Sequence, residues 1–326
     1  MEYVALAYYL FVKLEDPLSE VKKHQKFFEG KECSGRIYLS EEGINGQMSA
    51  SVTDAEAYMA WLKSDVRFSK ISFKIHEVPE LVFPRVSVKY RSQLVALDEK
   101  VDPSVGGVHV SAAEWKKMLE SGEYLVLDVR NRYEWEIGHF EGAVLPPLET
   151  FREFPEYAEK LSQELDPKTT KVMMYCTGGI RCELYSALLK KKGFEDVYQL
   201  EGGVIQYGLD EGAQHWKGKL FVFDDRLAVP IDGKECAPIA QCRHCQLPCD
   251  IYYNCANMDC NALFICCPSC YETYKGCCSH SCTLMPRLRA VDLRAGNKPF
   301  KRKHACCVLN RESCAVSAEL SPSDLA

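Results

Sequence analysis

Residues 175–183 read Tyr-Cys-Thr-Gly-Gly-Ile-Arg-Cys-Glu. Before them, Lys171–Tyr175 (KVMMY) is a short apolar run with strand character. After them, Leu184, Ala187 and Leu188 fall at helical spacing, and Lys190–Lys192 followed by Gly193 reads as a helix C-terminus. Cys176 therefore stands at the end of a strand, on a glycine-containing loop that runs into a helix. Such a loop aims free backbone N–H groups, and the positive end of the helix dipole, at an anion. If that anion is the sulfur of Cys176, its pKa falls and it becomes a nucleophile near neutral pH, with Arg181 adding a positive charge beside it. The plainer alternative is a buried structural cysteine; the two glycines and the arginine favour the nucleophile. The candidate catalytic pair is thus Cys176 and Arg181, joined by the loop Thr177, Gly178, Gly179 and Ile180.

Outward from the loop, strands and helices alternate. Strands are expected at Val108–Val110, Tyr124–Val129, Val172–Tyr175 and Val197–Leu200, and helices at Ala112–Glu120, Phe151–Leu165 and Cys182–Lys192. Alternation of this kind builds a mostly parallel, doubly wound α/β sheet whose reactive loops lie beyond the carboxyl ends of the strands. Asp128 and Arg130 end one strand and Cys176 another, so they can meet in one cleft, either as an ion pair holding the loop or in the chemistry. Four residues separate Cys176 from Arg181, one fewer than in the cysteine phosphatases, and a loop this size suits a single sulfur or oxygen better than a tetrahedral oxyanion. With Leu125–Arg130 (LVLDVR), Tyr133-Glu134-Trp135, Gly138-His139 and Glu141-Gly142-Ala143, the stretch 106–215 resembles the rhodanese family.

The 326 residues are enough for about two or three domains. With 47% hydrophobic and 26% charged residues the composition is that of an ordinary globular protein, and a net charge of −6 advertises no overall basic field for nucleic acid. The N-terminus lacks the basic start of a signal peptide, and no run approaches a membrane span. A cytoplasmic protein is expected, so its 18 cysteines point to metal or catalysis rather than disulfides. Residues 1–97 read strand (Tyr3–Val12), helix (Pro17–Phe28), strand (Ser34–Ser40), strand (Ile44–Ser51), helix (Asp54–Lys63) and strand (Ile71–His76), with N-cap chemistry at Asp16 and at Thr53-Asp54. That order is the ferredoxin-like α+β split unit. Its exit strand carries Arg85, Lys89 and Arg91, either a solvated face or a phosphate contact. Asp98–Gly107 is a linker to the rhodanese-like domain at 106–220.

From Cys236 to Cys282 the composition changes to twelve cysteines, with C-x-x-C knuckles at Cys242–Cys245 and Cys267–Cys270. So short a segment cannot bury a large core and needs a staple. Two knuckles some twenty residues apart signal structural zinc, ahead of an iron–sulfur cluster or a disulfide knot. Cys242, Cys245, Cys267 and Cys270 are assigned to one ion; Cys255, Cys260, Cys278 and Cys282 are taken as a second, interleaved site, with His280 as a substitute ligand. This Cys-rich domain spans 236–290. A tail at 291–326 follows, basic through Lys301, Arg302 and Lys303, then disordered over Ser317–Ala326. It is either a solvated tail or a phosphate-binding strip.

Three stretches extend the resemblance to the whole chain: Cys176–Glu183, Glu41–Gly46 (EEGING) and Tyr253–Cys260 (YNCANMDC) with Asn261–Cys270 (NALFICCPSC). They resemble the bacterial rhodanese-like proteins that act on tRNA, the oxygen-dependent wobble-uridine hydroxylases. The resemblance implies conversion of uridine at the anticodon wobble position to 5-hydroxyuridine with O2, and neither flavin nor haem. Two readings from other classes stay open: a sulfurtransferase carrying a persulfide on Cys176, and a non-enzymatic, zinc-stabilised RNA-binding protein.

Overall fold

Along Tyr3–Phe11 (β1), Val4, Leu6 and Tyr8 turn into an apolar core while Tyr9 points the other way, the period-two pattern of a strand covered on one face by helices. The structure, a computed structural model, describes residues 2–291. Arg294, Lys298, the basic residues Lys301–Lys303 and the terminal Ser317–Ala326 lie outside the described residues. Residues up to Ala240 form one compact unit, and a second begins at Gln241.

In the first unit, β1 is followed by α1 (Pro17–Phe27), β2 (Cys33–Ser40), β3 (Gly43–Ser51), α2 (Val52–Ser64), β4 (Ser72–Val78) and β5 (Val86–Tyr90). The sheet order is β4-β1-β3-β2-β5, antiparallel except for β5, which adds in parallel to β2. The first six elements are the ferredoxin-like split unit. Asp16 caps α1 by accepting from the Ser19 N–H at 2.9 Å. At α2 the cap is Ser51, whose hydroxyl accepts from the Asp54 N–H at 3.2 Å; Thr53-Asp54, read from the sequence as the cap, falls inside the first turn. Ser51 ends β3 and reaches the free N–H first, which leaves the Asp54 carboxylate to accept from the Glu32 N–H. The face of this sheet away from the helices carries two cross-strand rows, Ser72–Tyr9–Asn45–Tyr38–Lys89 and Lys74–Ala7–Gln47–Arg36–Ser87.

The rest of the first unit runs β6 (Val108–Val110), α3 (Ala112–Ser121), β7 (Leu125–Asp128), α4 (Arg132–Trp135), β8 (Gly138–Phe140), α5 (Phe154–Glu164), β9 (Val172–Tyr175), α6 (Ile180–Lys191), β10 (Val197–Leu200) and α7 (Gly203–Glu211). The order β6-β10-β9-β7 is parallel throughout. Alternate residues of the fully buried β9 feed two cores. Val172 and Met174 pack with Phe154 and Leu188 from α5 and α6, and Met173 and Tyr175 pack with Trp115 and Tyr207 from α3 and α7. Phe151–Glu153, expected as helix, is a 3-10 turn that leads into α5. Three short strands close the unit: β11 (Trp216–Gly218), which pairs with β8, and the ribbon of β12 (Leu220–Phe221) and β13 (Ala228–Val229).

The second unit holds the antiparallel pair β14 (Tyr252–Asn254) and β15 (Leu263–Ile265), then the short helices α8 (Pro268–Thr273) and α9 (His280–Thr283). Among the described residues no helix is long and apolar enough to cross a membrane.

Candidate active site and metal centres

Cys176 leaves the end of β9 fully buried, and its sulfur accepts the Gly179 N–H at 3.1 Å as the chain turns into α6. Burial by itself opposes ionisation. The hydrogen bond from the Cys182 thiol, the charge of Arg181 and the N–H groups of Arg181 and Gly179 outweigh it, and the Cys176 pKa falls to about 5. Cys182 moves the other way, pushed well up by burial and by donating to Cys176. One sulfur is held as a thiolate and its neighbour as a thiol.

The loop is fixed from three sides. At the start of α7 the N–H groups of Val204 and Ile205 donate to the carbonyls of Cys176 and Thr177 at 3.0 and 3.1 Å. Gly203 makes this approach possible: its φ is +68°, and a Cβ there would lie 2.6 Å from the Cys176 carbonyl oxygen. Above the loop, a Cβ on Gly179 would meet the Tyr9 hydroxyl at 2.8 Å. Below it, Arg181 is not a free cation. Its Nη1 and Nη2 donate to the two carboxylate oxygens of Glu134 at 2.5 and 2.7 Å, and Glu134, fully buried, also accepts from the Thr177 hydroxyl and the Asn131 N–H.

A cleft of about 330 Å³ opens over Cys176, lined on one side by Thr177, Gly178, Ile180 and Arg181 and on the other by Tyr9, Tyr38, Asn45 and Lys74 of the ferredoxin-like sheet. Tyr9 donates to the Glu183 carboxylate at 2.8 Å, which also pairs with His109 at 3.0 Å. Lys74 donates to the Gly178 carbonyl at 2.9 Å and stands 5.0 Å over the Tyr9 ring. Sequence reasoning missed Tyr9 and Lys74, and gave Glu134 and Glu183 no role although both stood in the quoted stretches. Asn45 and Gly46 of EEGING do reach the cleft.

Asp128 and Arg130, expected in the same cleft as Cys176, do not line it. The Asp128 carboxylate is saturated by the Arg130 backbone N–H, Nε and Nη2 at 2.6–3.1 Å, and Arg130 lies beside the rings of Tyr175 and Trp216 with no exposed surface. Arg85, Lys89 and Arg91 are exposed along β5, Arg91 over the Tyr38 ring.

In the second unit two sets of sulfurs converge: Cys242, Cys245, Cys267 and Cys270, and Cys255, Cys260, Cys278 and Cys282, each within 4.8 Å. His280 is in neither set. The separations of 3.7 Å for Cys245–Cys267, 3.6 Å for Cys260–Cys278 and 3.9 Å for Cys278–Cys282 match the edge, about 3.8 Å, of a tetrahedron with 2.3 Å metal–sulfur bonds, and are far too long for disulfides. All eight sulfurs are soft donors suited to zinc.

Family models match the chain in three parts: the UPF0176 acylphosphatase like domain at residues 3–94, the rhodanese-like domain at 111–208 and the rhodanese C-terminal region at 217–283. The tRNA uridine(34) hydroxylase of Chlamydia trachomatis serovar D is 57% identical over 323 residues, 98% of this chain and 99% of its own. That of Chlamydia felis is 60% identical over 317 residues, 97% and 98% of the two chains, and that of Chlamydia pneumoniae 58% identical over 307, 94% and 95%. Likeness at this level, running from the ferredoxin-like sheet through the Cys176 loop to the cysteine tetrads, shows that the chain belongs to the tRNA uridine(34) hydroxylase family.

Proposed function

We propose that the protein hydroxylates the wobble uridine of tRNA at C5, giving 5-hydroxyuridine, with Cys176 as nucleophile. The observation that carries this reading is a buried cysteine sulfur that accepts the Gly179 N–H at 3.1 Å, at the floor of a cleft whose roof is polar and aromatic; the loop N–H groups and Arg181 lower its pKa. A uridine in an anticodon loop is already unpaired, so little unstacking energy is needed to bring it to such a cleft. Addition of the Cys176 sulfur to C6 leaves electron density at C5, which takes one oxygen atom of O2; an external two-electron donor and two protons reduce the other atom to water. Loss of the C5 proton as the S–C6 bond breaks restores the C5–C6 double bond and frees Cys176, with no part for flavin or haem. The loop N–H groups and Arg181 hold the thiolate, and Thr177 with Glu134 holds Arg181.

The segments divide the work. Residues 1–97 roof the site, 106–220 supply the nucleophile, and 236–290 form a zinc-stapled module with two structural ions. The tail at 291–326, through Lys301, Arg302 and Lys303, together with Arg85, Lys89 and Arg91, draws in the phosphates of the RNA. The protein works in the cytoplasm.

Nucleoside mass spectrometry of tRNA from a deletion strain tests the reading. Loss of 5-hydroxyuridine and its derivatives, restored by the wild-type gene and not by Cys176→Ser, is the expected result. Loss of a thiolated nucleoside would instead identify a sulfurtransferase, and an unchanged profile an RNA-binding protein without this activity.

A further inference from the structure

The charges around Cys176 do not balance as the sequence suggests. Arg181, whose charge helps to lower the Cys176 pKa, is also committed to Glu134 through both terminal nitrogens, so its charge is shared with that carboxylate and its position is fixed. Glu183 is likewise engaged, by Tyr9, His109 and Gln199. Two cations of the cleft remain, Arg36 and Lys74. Arg36 is exposed and is turned to the Phe223 carbonyl and the Phe83 ring, which leaves Lys74 as the buried one. It is 6% exposed, lines the cleft that holds Cys176, and hydrogen-bonds only a carbonyl, that of Gly178. Among the described residues no carboxylate lies within ion-pair distance of its ammonium. An ammonium removed from water without a carboxylate partner is costly to keep, and burial lowers its pKa to about 8, against the opposing fields of Cys176, Glu183 and Glu201. Its position is set by β4, the edge strand beside β1 in the ferredoxin-like sheet, and it is more than a hundred residues from the loop it touches.

We propose that Lys74 is the charge partner of the Cys176 thiolate and the hydrogen-bond donor to the uracil oxygen that becomes anionic when the thiolate adds. The inference rests on the uridine-directed reading of Cys176 above. In the step concerned the Sγ–C6 bond forms, the C5–C6 π pair moves into the C5–C4 bond, and the C4 carbonyl pair moves onto O4. Lys74 keeps its three protons and turns one N–H from the Gly178 carbonyl to that oxygen. The ammonium thus serves the ground-state thiolate first and the enolate afterwards, following the negative charge as it moves across the cleft. Arg181, fixed by Glu134, cannot make that move.

The test compares Lys74→Met and Lys74→Arg with wild type in two measurements. The first, without RNA, follows alkylation of Cys176 by iodoacetamide against pH, the modified residue being identified by peptide mass. The titratable and charged groups that act on Cys176 are Arg181, Cys182 and Tyr9, those that act on Lys74 are Glu183 and Glu201, and Arg36 lines the same cleft; all are unchanged in both variants. The second measures single-turnover formation of 5-hydroxyuridine at saturating tRNA. Lys74→Met is expected to raise the alkylation midpoint by about one pH unit or more and to slow turnover by about a hundredfold. Lys74→Arg, which keeps the charge, is expected to hold the midpoint near that of wild type. A Lys74→Met midpoint or turnover rate indistinguishable from wild type overturns the proposal. So does a Lys74→Arg midpoint displaced as far as that of Lys74→Met, since loss of packing rather than charge would then be responsible. If wild type itself forms no 5-hydroxyuridine, the functional reading fails, while the alkylation midpoints still decide whether Lys74 sets the thiolate.

Discussion

Cys176 and Cys242 are both fully buried sulfurs, and the chain uses them in opposite ways. Around Cys176 lie N–H groups, a thiol, an ion-paired arginine and a buried lysine, in a domain with two large apolar cores, one of which includes Cys176 itself. Around Cys242 lie three more sulfurs, and beyond them a second set of four, in a unit whose regular structure among the described residues amounts to two three-residue strands and two short helices. Under the proposed function the fold of the first region shapes the chemistry of a cysteine, and in the second the cysteines, as metal ligands, make the fold. The same residue type is therefore no guide to role. What surrounds the sulfur is.

Breaking the second region should have the largest effect. Structural zinc contributes an apparent free energy of about 10–16 kcal/mol in small peptides, far more than a core this size supplies. Cys270→Ser, or a strong chelator, is expected to release metal and unfold the unit from Gln241 onward, while Trp115 and the rest of the central domain keep their near-ultraviolet circular dichroism. Elemental analysis showing fewer than two zinc ions per chain would remove one or both staples.

The first region should break at Glu134 before it breaks at Cys176. Glu134→Ala leaves the Arg181 guanidinium buried and unpaired, a loss of about 3–5 kcal/mol, read as a fall in the thermal midpoint of the first unit. A change near zero would mean that Arg181 reaches solvent and that the pair does not hold the loop.

A smaller and sharper contrast lies between Cys176 and Cys182. Cys176, with a pKa depressed to about 5, is ionised above that pH and loses its nucleophile as pH falls through it; Cys182, pushed up, stays a thiol through neutrality. Alkylation at pH 7 is expected to modify Cys176 and spare Cys182, and Cys182→Ala to retain more activity than any change at Cys176. Equal labelling of the two would refute the assignment.

The smallest effect belongs to the exposed basic strand. Replacing Arg85, Lys89 and Arg91 by Ala should weaken tRNA binding and reduce the slope of log affinity against log salt by about 0.7 for each phosphate that is no longer neutralised. An unaltered slope would leave β5 as a solvated edge.

How much of this was legible in the sequence follows from the distance over which each feature is determined. The Cys176 loop was legible because strand, loop and helix are contiguous, and the tetrads because C-x-x-C spacing presents two sulfurs to one ion. Helix α7 was not: it starts at Gly202-Gly203 without a side-chain cap, at positive φ, because the Cys176 carbonyl leaves no room for a Cβ. The N-cap of α2 went to Ser51 because only the end of β3 decides which hydroxyl arrives first. Tyr9 and Lys74 could not be read at all, since they reach the site through the register of a sheet in a different fold. Asp128 and Arg130, read from their place at a strand end either as an ion pair or as part of the chemistry, form the ion pair, and Arg130 also donates to the Gly138 carbonyl.

The central claim is that the Cys176 sulfur carries out the attack on the wobble uridine. Its most direct test is single-turnover hydroxylation of tRNA by purified wild type and Cys176→Ser under O2, with tRNA affinity measured alongside. Serine keeps the loop N–H contacts but stays protonated at pH 7. The account predicts 5-hydroxyuridine with wild type, none above background with Cys176→Ser, and comparable tRNA binding by both. Full hydroxylation by Cys176→Ser would contradict it and leave the loop as scaffold.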